Sequence, residues 1–125
     1  MKISETARKL VDYCNSGQST EAYRHLFAED AEAWEPEGVP ERHVKGLANL
    51  IEKSEQFEQQ VEEWHRLTCS EPLISDDYFC CEMTLDVTFK GMDRSVSSEI
   101  AVYRVNGEGK ISEERFFYSP DTPAS

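Results

Sequence analysis

The run Glu82-Met83-Thr84-Leu85-Asp86-Val87-Thr88-Phe89 decides the class of fold. Met83, Leu85, Val87 and Phe89 alternate with Glu82, Thr84, Asp86 and Thr88, the period of two of a strand with one buried and one wet face. Working downstream, Lys90-Gly91-Met92-Asp93 is a turn, and a long strand follows from about Arg94 to Val105. Asn106-Gly107-Glu108-Gly109 is a strong hairpin signal, and a last strand runs from Lys110 to Tyr118. Upstream, Glu62 to Ser70 reads as a strand holding Trp64, Leu67 and Thr68; Pro72 interrupts it and Ser75-Asp76-Asp77 turns the chain. Four consecutive strands joined in this way form an antiparallel meander.

The N-terminal half has a helical period instead. Ile3, Ala7, Leu10, Val11 and Cys14 make one apolar stripe, with Ser4 as cap and Asn15-Ser16-Gly17 as stop signal. A second short helix, capped by Ser19 or Thr20, buries Ala22, Tyr23, Leu26 and Phe27 and ends at Ala28-Glu29-Asp30. Ala31 to Glu35 reads as a short strand, closed by the irregular loop Pro36-Glu37-Gly38-Val39-Pro40-Glu41. A third helix begins near Lys45 and places Leu47, Leu50, Ile51, Ser54, Phe57 and Val61 on one face. The order predicts an α+β fold: three N-terminal helices packed on a strongly curved antiparallel sheet, forming a cone with an internal pocket.

A chain of 125 residues fits one domain, expected over residues 1–119 with a flexible tail at 120–125. The net charge of −12 repels phosphate backbones and anionic lipid, so neither nucleic acid nor a membrane is an expected partner. No stretch approaches the roughly 18 apolar residues of a membrane span, and Met1-Lys2-Ile3-Ser4-Glu5 leads into charge, so a cytoplasmic location is expected. Cys14, Cys69, Cys80 and Cys81 fit neither a CxxC nor a zinc-finger spacing and read as free thiols. No phosphate loop, GxSxG elbow or dinucleotide fingerprint is present, so no cofactor is expected. His25, His43 and His65 form no H-x-H or H-x-x-x-H pair and suggest no metal; the face taken by His65 is left open by the pattern.

Several segments resemble landmarks of the nuclear transport factor 2-like superfamily, which includes ketosteroid isomerases, SnoaL-like polyketide cyclases and scytalone dehydratase. Phe27-Ala28-Glu29-Asp30-Ala31 is similar to its link from second helix to first strand, and Trp34-Glu35-Pro36-Glu37-Gly38 to the acidic, proline, X, glycine end of that strand. Lys45-Gly46-Leu47 resembles the start of the third helix. Gly109-Lys110-Ile111 with Arg115-Phe116-Phe117-Tyr118 resembles the closing strand. The resemblance runs from about Ala7 to Tyr118. It implies fold, not activity, because this fold hosts enzymes, transport factors and association domains.

By the resemblance, Glu35 occupies the place of the isomerase general base; the alternative is a solvated acid at a loop edge. The isomerase oxyanion donors have no counterpart, since Leu10 and Ala101 stand at those two positions. Steroid isomerase activity is therefore not expected. A different carbonyl or hydroxyl substrate, with Tyr118 as orienting donor, fits better. Trp34, Met83, Leu85, Glu99, Ala101, Tyr103, Glu114 and Phe116 are the expected ligand-contacting residues. Tyr103 alternatively packs as an ordinary amphipathic aromatic. If Glu99 and Glu114 both face inward the pocket is acidic, and one of them is then expected to act as a second acid–base group or to bind an amine; the alternative is that they mark the wet rim of the cone. Three functions follow: a cofactor-free isomerase, cyclase or dehydratase; a binding module for a small apolar or carbonyl-containing molecule; or an interaction domain. A homodimer through the outer sheet face, bearing Ile100, Val102 and Arg104, is expected as well.

Overall fold

The computed structural model describes residues 1–119, so the tail expected at 120–125 lies outside the described residues. Three helices, α1 (Ile3–Asn15), α2 (Ser19–Leu26) and α3 (Leu47–Gln60), accompany seven strands. These are β1 (Phe27–Trp34), β2 (His43–Lys45), β3 (Val61–Cys69), β4 (Leu73–Ser75), β5 (Tyr78–Phe89), β6 (Arg94–Val105) and β7 (Ile111–Phe117). They form one curved sheet in the order β2-β1-β7-β6-β5-β3, with β4 paired to β5. All neighbours are antiparallel except β1 and β7. Register shifts between Phe27 and Glu32, twice along β3, and between Arg104 and Val105 bend the strands and increase twist, which curves the sheet over the helices.

The α+β order and the meander agree with the sequence reading, and the differences are local. The chain leaves α2 at Leu26 and Phe27 already begins β1, so Ala28-Glu29-Asp30 is strand rather than helix end. Tertiary pairing with Ile111 of β7 outweighs the weak helical preference there. Strands β2 and β4 have only three residues each, too short for a periodic signal. Strand β5 starts at Tyr78, four residues before its clean alternation. Ser4 lies inside α1, which starts after Lys2 without a side-chain cap.

The core is built where helix stripes meet the concave face. Leu10, Val11, Leu26, Phe79, Tyr103 and Ile111 are all at most 2% exposed. Tyr103 stacks on Phe79 at 4.9 Å between ring centroids and takes Phe27 edge-on at 6.2 Å. Two polar clamps fix α1 to the strands. Thr6 Oγ1 donates to the Gly109 carbonyl at 2.7 Å. Asn15 accepts from the Cys69 amide at 2.7 Å and donates to its carbonyl at 3.2 Å, capping the end of β3. Asn15→Ala strands that backbone pair, so it should lower stability by about 1–3 kcal/mol in urea unfolding.

Candidate functional site

The concave sheet and the helices enclose a cavity of about 1340 Å³ that opens on one side. That space exceeds the roughly 300–1,000 Å³ of ordinary ligand pockets because it includes the mouth. Met83 and Leu85 of β5, Phe116 of β7 and Leu50 of α3 supply apolar wall. Phe57 and Trp64, both partly exposed, stand toward the mouth.

Glu35 lies one residue beyond β1. Its amide donates to the Arg42 carbonyl at 2.7 Å, closing the Pro36–Arg42 loop and fixing the backbone at the cavity edge. Strand alternation sends Ala33 and Glu35 inward, and the Glu35 side chain is only 15% exposed. Tyr118 Oη donates to Glu35 Oε2 at 2.8 Å. Lys53 Nζ, from α3, lies 3.4 Å from Oε1. One wall of the cavity thus holds a carboxylate braced from two sides. Burial first, and the Glu35 hydrogen bond and charge next, raise the Tyr118 phenol above its ordinary range, so it stays a donor.

Two further carboxyls face the same space. Glu99 of β6 has no side-chain hydrogen bond among the described residues; burial, then the charges of Glu35 and Glu114, push it up to about 8, against the opposing pull of Lys53. Glu114 of β7 is 3% exposed and accepts from Tyr23 Oη at 2.6 Å. Burial pushes it up to about 7, while the Tyr23 and Tyr103 hydroxyls pull it down. Both phenols are themselves raised well above the usual range by burial and by the Glu114 charge.

Eight of the residues singled out in the sequence line this cavity: Glu35 and Tyr118, with Met83, Leu85 and Phe116 among the apolar ones and Glu99, Tyr103 and Glu114 among the polar ones. Two expected ligand contacts do not. Trp34 neighbours Glu35 on an alternating strand, so it points to the opposite face. There its indole stacks on His43 at 4.7 Å, with the Arg115 guanidinium 4.0 Å from its centroid. Ala101 faces inward but is fully buried in the core, opposite Phe116 and Cys81, too short to reach the space. His65, whose face the pattern left open, reaches the wall with Nε2 2.9 Å from Thr88 Oγ1. His43 is on β2, not in a loop, and its ring meets Glu32 at 2.9 Å.

The sequence reading missed Lys53 and Tyr23 as site residues. Lys53 sits three residues after Leu50 and four before Phe57, which puts it on the face α3 turns to the cavity; the spacing carried that signal. Tyr23 was recognised as buried but not as the donor to Glu114, a contact between residues 91 apart in the chain. Among the described residues no group of three or more His, Cys, Asp and Glu is placed to hold a metal ion. No helix is long and apolar enough to cross a membrane.

The SnoaL-like domain family matches residues 1–118. The chain belongs to that family. This SnoaL-like chain is 31% identical to a Mesorhizobium loti protein provisionally named a SnoaL-like polyketide cyclase (carbohydrate phosphatase). That alignment covers 94% of this chain and all of the other, with a TM-score of 0.85. TerC, crystallised with polyporic acid, shares 17% identity over 94% of this chain and 92% of its own, with a TM-score of 0.75. A Mycobacterium tuberculosis protein in complex with estradiol-17beta-hemisuccinate shares 22% identity over 97% of each chain, with a TM-score of 0.72. The last two likenesses concern the fold. Among curated proteins, none matches. Within the SnoaL-like frame, the inner polar groups of this cavity come from Tyr23, Glu99 and Glu114, and Leu10 contributes only apolar wall.

Proposed function

We propose that this SnoaL-like domain binds a small apolar or carbonyl-containing molecule and moves a proton on it without a cofactor, as an isomerase, cyclase or dehydratase does. Glu35 is the general base and Tyr118 orients it. The observation that carries this reading is the Glu35 carboxylate, mostly buried at the wall of a cavity and held by Tyr118 and Lys53. A base must lie within hydrogen-bond reach of the proton it takes, and a carboxylate fixed from two sides is oriented before substrate arrives. Met83, Leu85 and Phe116 favour an apolar body in the ligand. The small molecules in the TerC and M. tuberculosis complexes are in keeping with a ligand in this space.

Carbon-bound proton transfer is testable before the substrate is known. A panel of enolisable ketones and 1,3-dicarbonyls is incubated with the protein in heavy water and followed by proton NMR. Deuterium uptake above the buffer rate, lost in Glu35→Gln, supports the proposal; uptake unchanged by that substitution refutes the role given to Glu35.

A second reading has its own observation. On the outer sheet face Ile100 and Phe117, opposite one another across β6 and β7, are 49% and 55% exposed. Exposed apolar residues gathered on a sheet face favour a partner surface, and a second copy of the chain is the partner we propose. Light scattering on a sizing column should give a dimer at micromolar concentration and a monomer for Ile100→Glu; a wild-type monomer contradicts this. Four free thiols support a reducing, cytoplasmic setting for that dimer.

A further inference from the structure

Resting on the reading of the cavity as a ligand site, we propose that its ligand carries a protonated amine, held in the inner cavity where Glu99 and Glu114 flank Phe116. Glu35 already has a cation and a donor, Lys53 and Tyr118. Among the described residues neither Glu99 nor Glu114 is in an ion pair; the charge of Lys53 acts on both, but its ion pair is with Glu35. Glu114 is 3% exposed, lines the cavity and receives the neutral hydroxyl of Tyr23. Glu99 lines it too and has no side-chain hydrogen bond among the described residues. A carboxylate lacking a counter-charge is costly to bury, so the buried Glu114 and the half-buried Glu99 in one cavity fit a cationic guest better than a neutral one.

The other groups facing this region leave the imbalance in place. The Cys14 thiol comes from α1, the Tyr23 phenol from α2, Lys53 and Glu58 from α3, and the Tyr103 phenol from β6. Glu35 and Tyr118 follow β1 and β7, and β3 adds His65 and Arg66 to the wall. Glu58 binds Thr20 and Lys53 binds Glu35. The aromatic side chains of Tyr23 and Phe116 line the same space. A ligand hydroxyl would satisfy one lone pair but leave the charge; an ammonium answers both.

In the unliganded cavity, burial keeps protons on Glu99 and Glu114 toward about 8 and about 7. A bound cation favours the ionised forms and displaces those protons. Affinity for a cation therefore rises with pH until both carboxyls ionise unaided.

The probes are 2-phenylethylamine and its neutral counterpart 2-phenylethanol, titrated into the whole protein by calorimetry or NMR. A primary alkylamine stays protonated across this range, as the lysine side chain does at about 10.4. The amine should bind at least about tenfold more tightly than the alcohol, and its affinity should rise about tenfold between about pH 6 and about pH 8. Glu99→Gln and Glu114→Gln should each weaken amine binding about tenfold and leave the alcohol within about threefold, which also shows that both variants fold. Absence of amine binding, equal affinity for the two probes, amine affinity that stays level or falls with pH, or the full preference kept in both variants overturns the proposal. These readouts do not depend on turnover, so loss of the Glu35 activity and loss of the amine preference are distinguishable results.

Discussion

Glu35→Gln should reduce proton exchange on an accepted carbon acid by at least about a hundredfold while ligand affinity stays within about threefold. Gln matches Glu in size, and its amide oxygen still accepts from Tyr118, so the brace at 2.8 Å survives in kind. What disappears is the lone pair that takes the proton. An effect on rate with little effect on binding is the mark of an interaction made in the transition state. Tyr118→Phe acts one step removed. It keeps the base and removes its orienting donor, so a loss of about tenfold is expected, falling on kcat more than KM. A Glu35→Gln protein that binds ligand poorly but retains kcat would make Glu35 a binding group instead.

The second large effect concerns stability against pH. Glu99 and Glu114 bind protons more tightly folded than unfolded, at about 8 and about 7 against an ordinary 4.5. Between about pH 4.5 and about pH 8 the folded state therefore holds more protons than the unfolded state, and stability falls as pH rises through that window. Below it both states are protonated and the two residues contribute nothing; above it the full cost is present. The carboxylates lowered by arginine, Glu21, Glu71 and Asp86, act in the opposite direction and only below the ordinary carboxylate range. The unliganded protein should lose a few kcal/mol between about pH 5 and about pH 9. The double variant Glu99→Gln, Glu114→Gln should remove most of that slope and exceed the wild type at the alkaline end. Urea midpoints across the range decide it; wild-type stability that is level or rising would show that the two side chains are solvated.

The period of two in residues 82–89 and the helical stripe from Ile3 to Cys14 were legible because burial acts locally on a regular repeat. Glu35 was legible only through the resemblance of Trp34-Glu35-Pro36-Glu37-Gly38 to the acidic, proline, X, glycine end of the family's first strand. Strands β2 and β4 were not, because three residues carry no period and their pairing comes from distant partners. Trp34 was misplaced through attention to residue type over parity, since neighbours on a strand cannot share a face. Ala101 was given the right face but the wrong depth, which depends on how closely Phe116 and Cys81 approach across the sheet. Tyr23–Glu114 and Lys53–Glu35 join elements far apart in sequence, so only the assembled fold displays them.

Glu99 and Glu114 illustrate why a functional cavity works against stability. Replacing Glu99 by Gln removes a poorly solvated ionisable group without stranding a partner among the described residues, whereas an apolar residue at Glu114 would leave the Tyr23 hydroxyl without its acceptor. Their presence in the cavity wall is understandable where a ligand supplies the missing charge, which joins the stability profile to the proposed amine.

The account turns on a ligand meeting Glu35 inside the cavity, and the most direct measurement is a crystal structure of the protein with a carbon acid that it exchanges. The expected result is a ligand whose labile carbon lies about 3–3.5 Å from the Glu35 carboxylate, with its body against Met83 and Phe116. A ligand seated on the outer sheet face, or a Glu35 side chain turned to bulk water with the hollow filled by protein atoms, would contradict it.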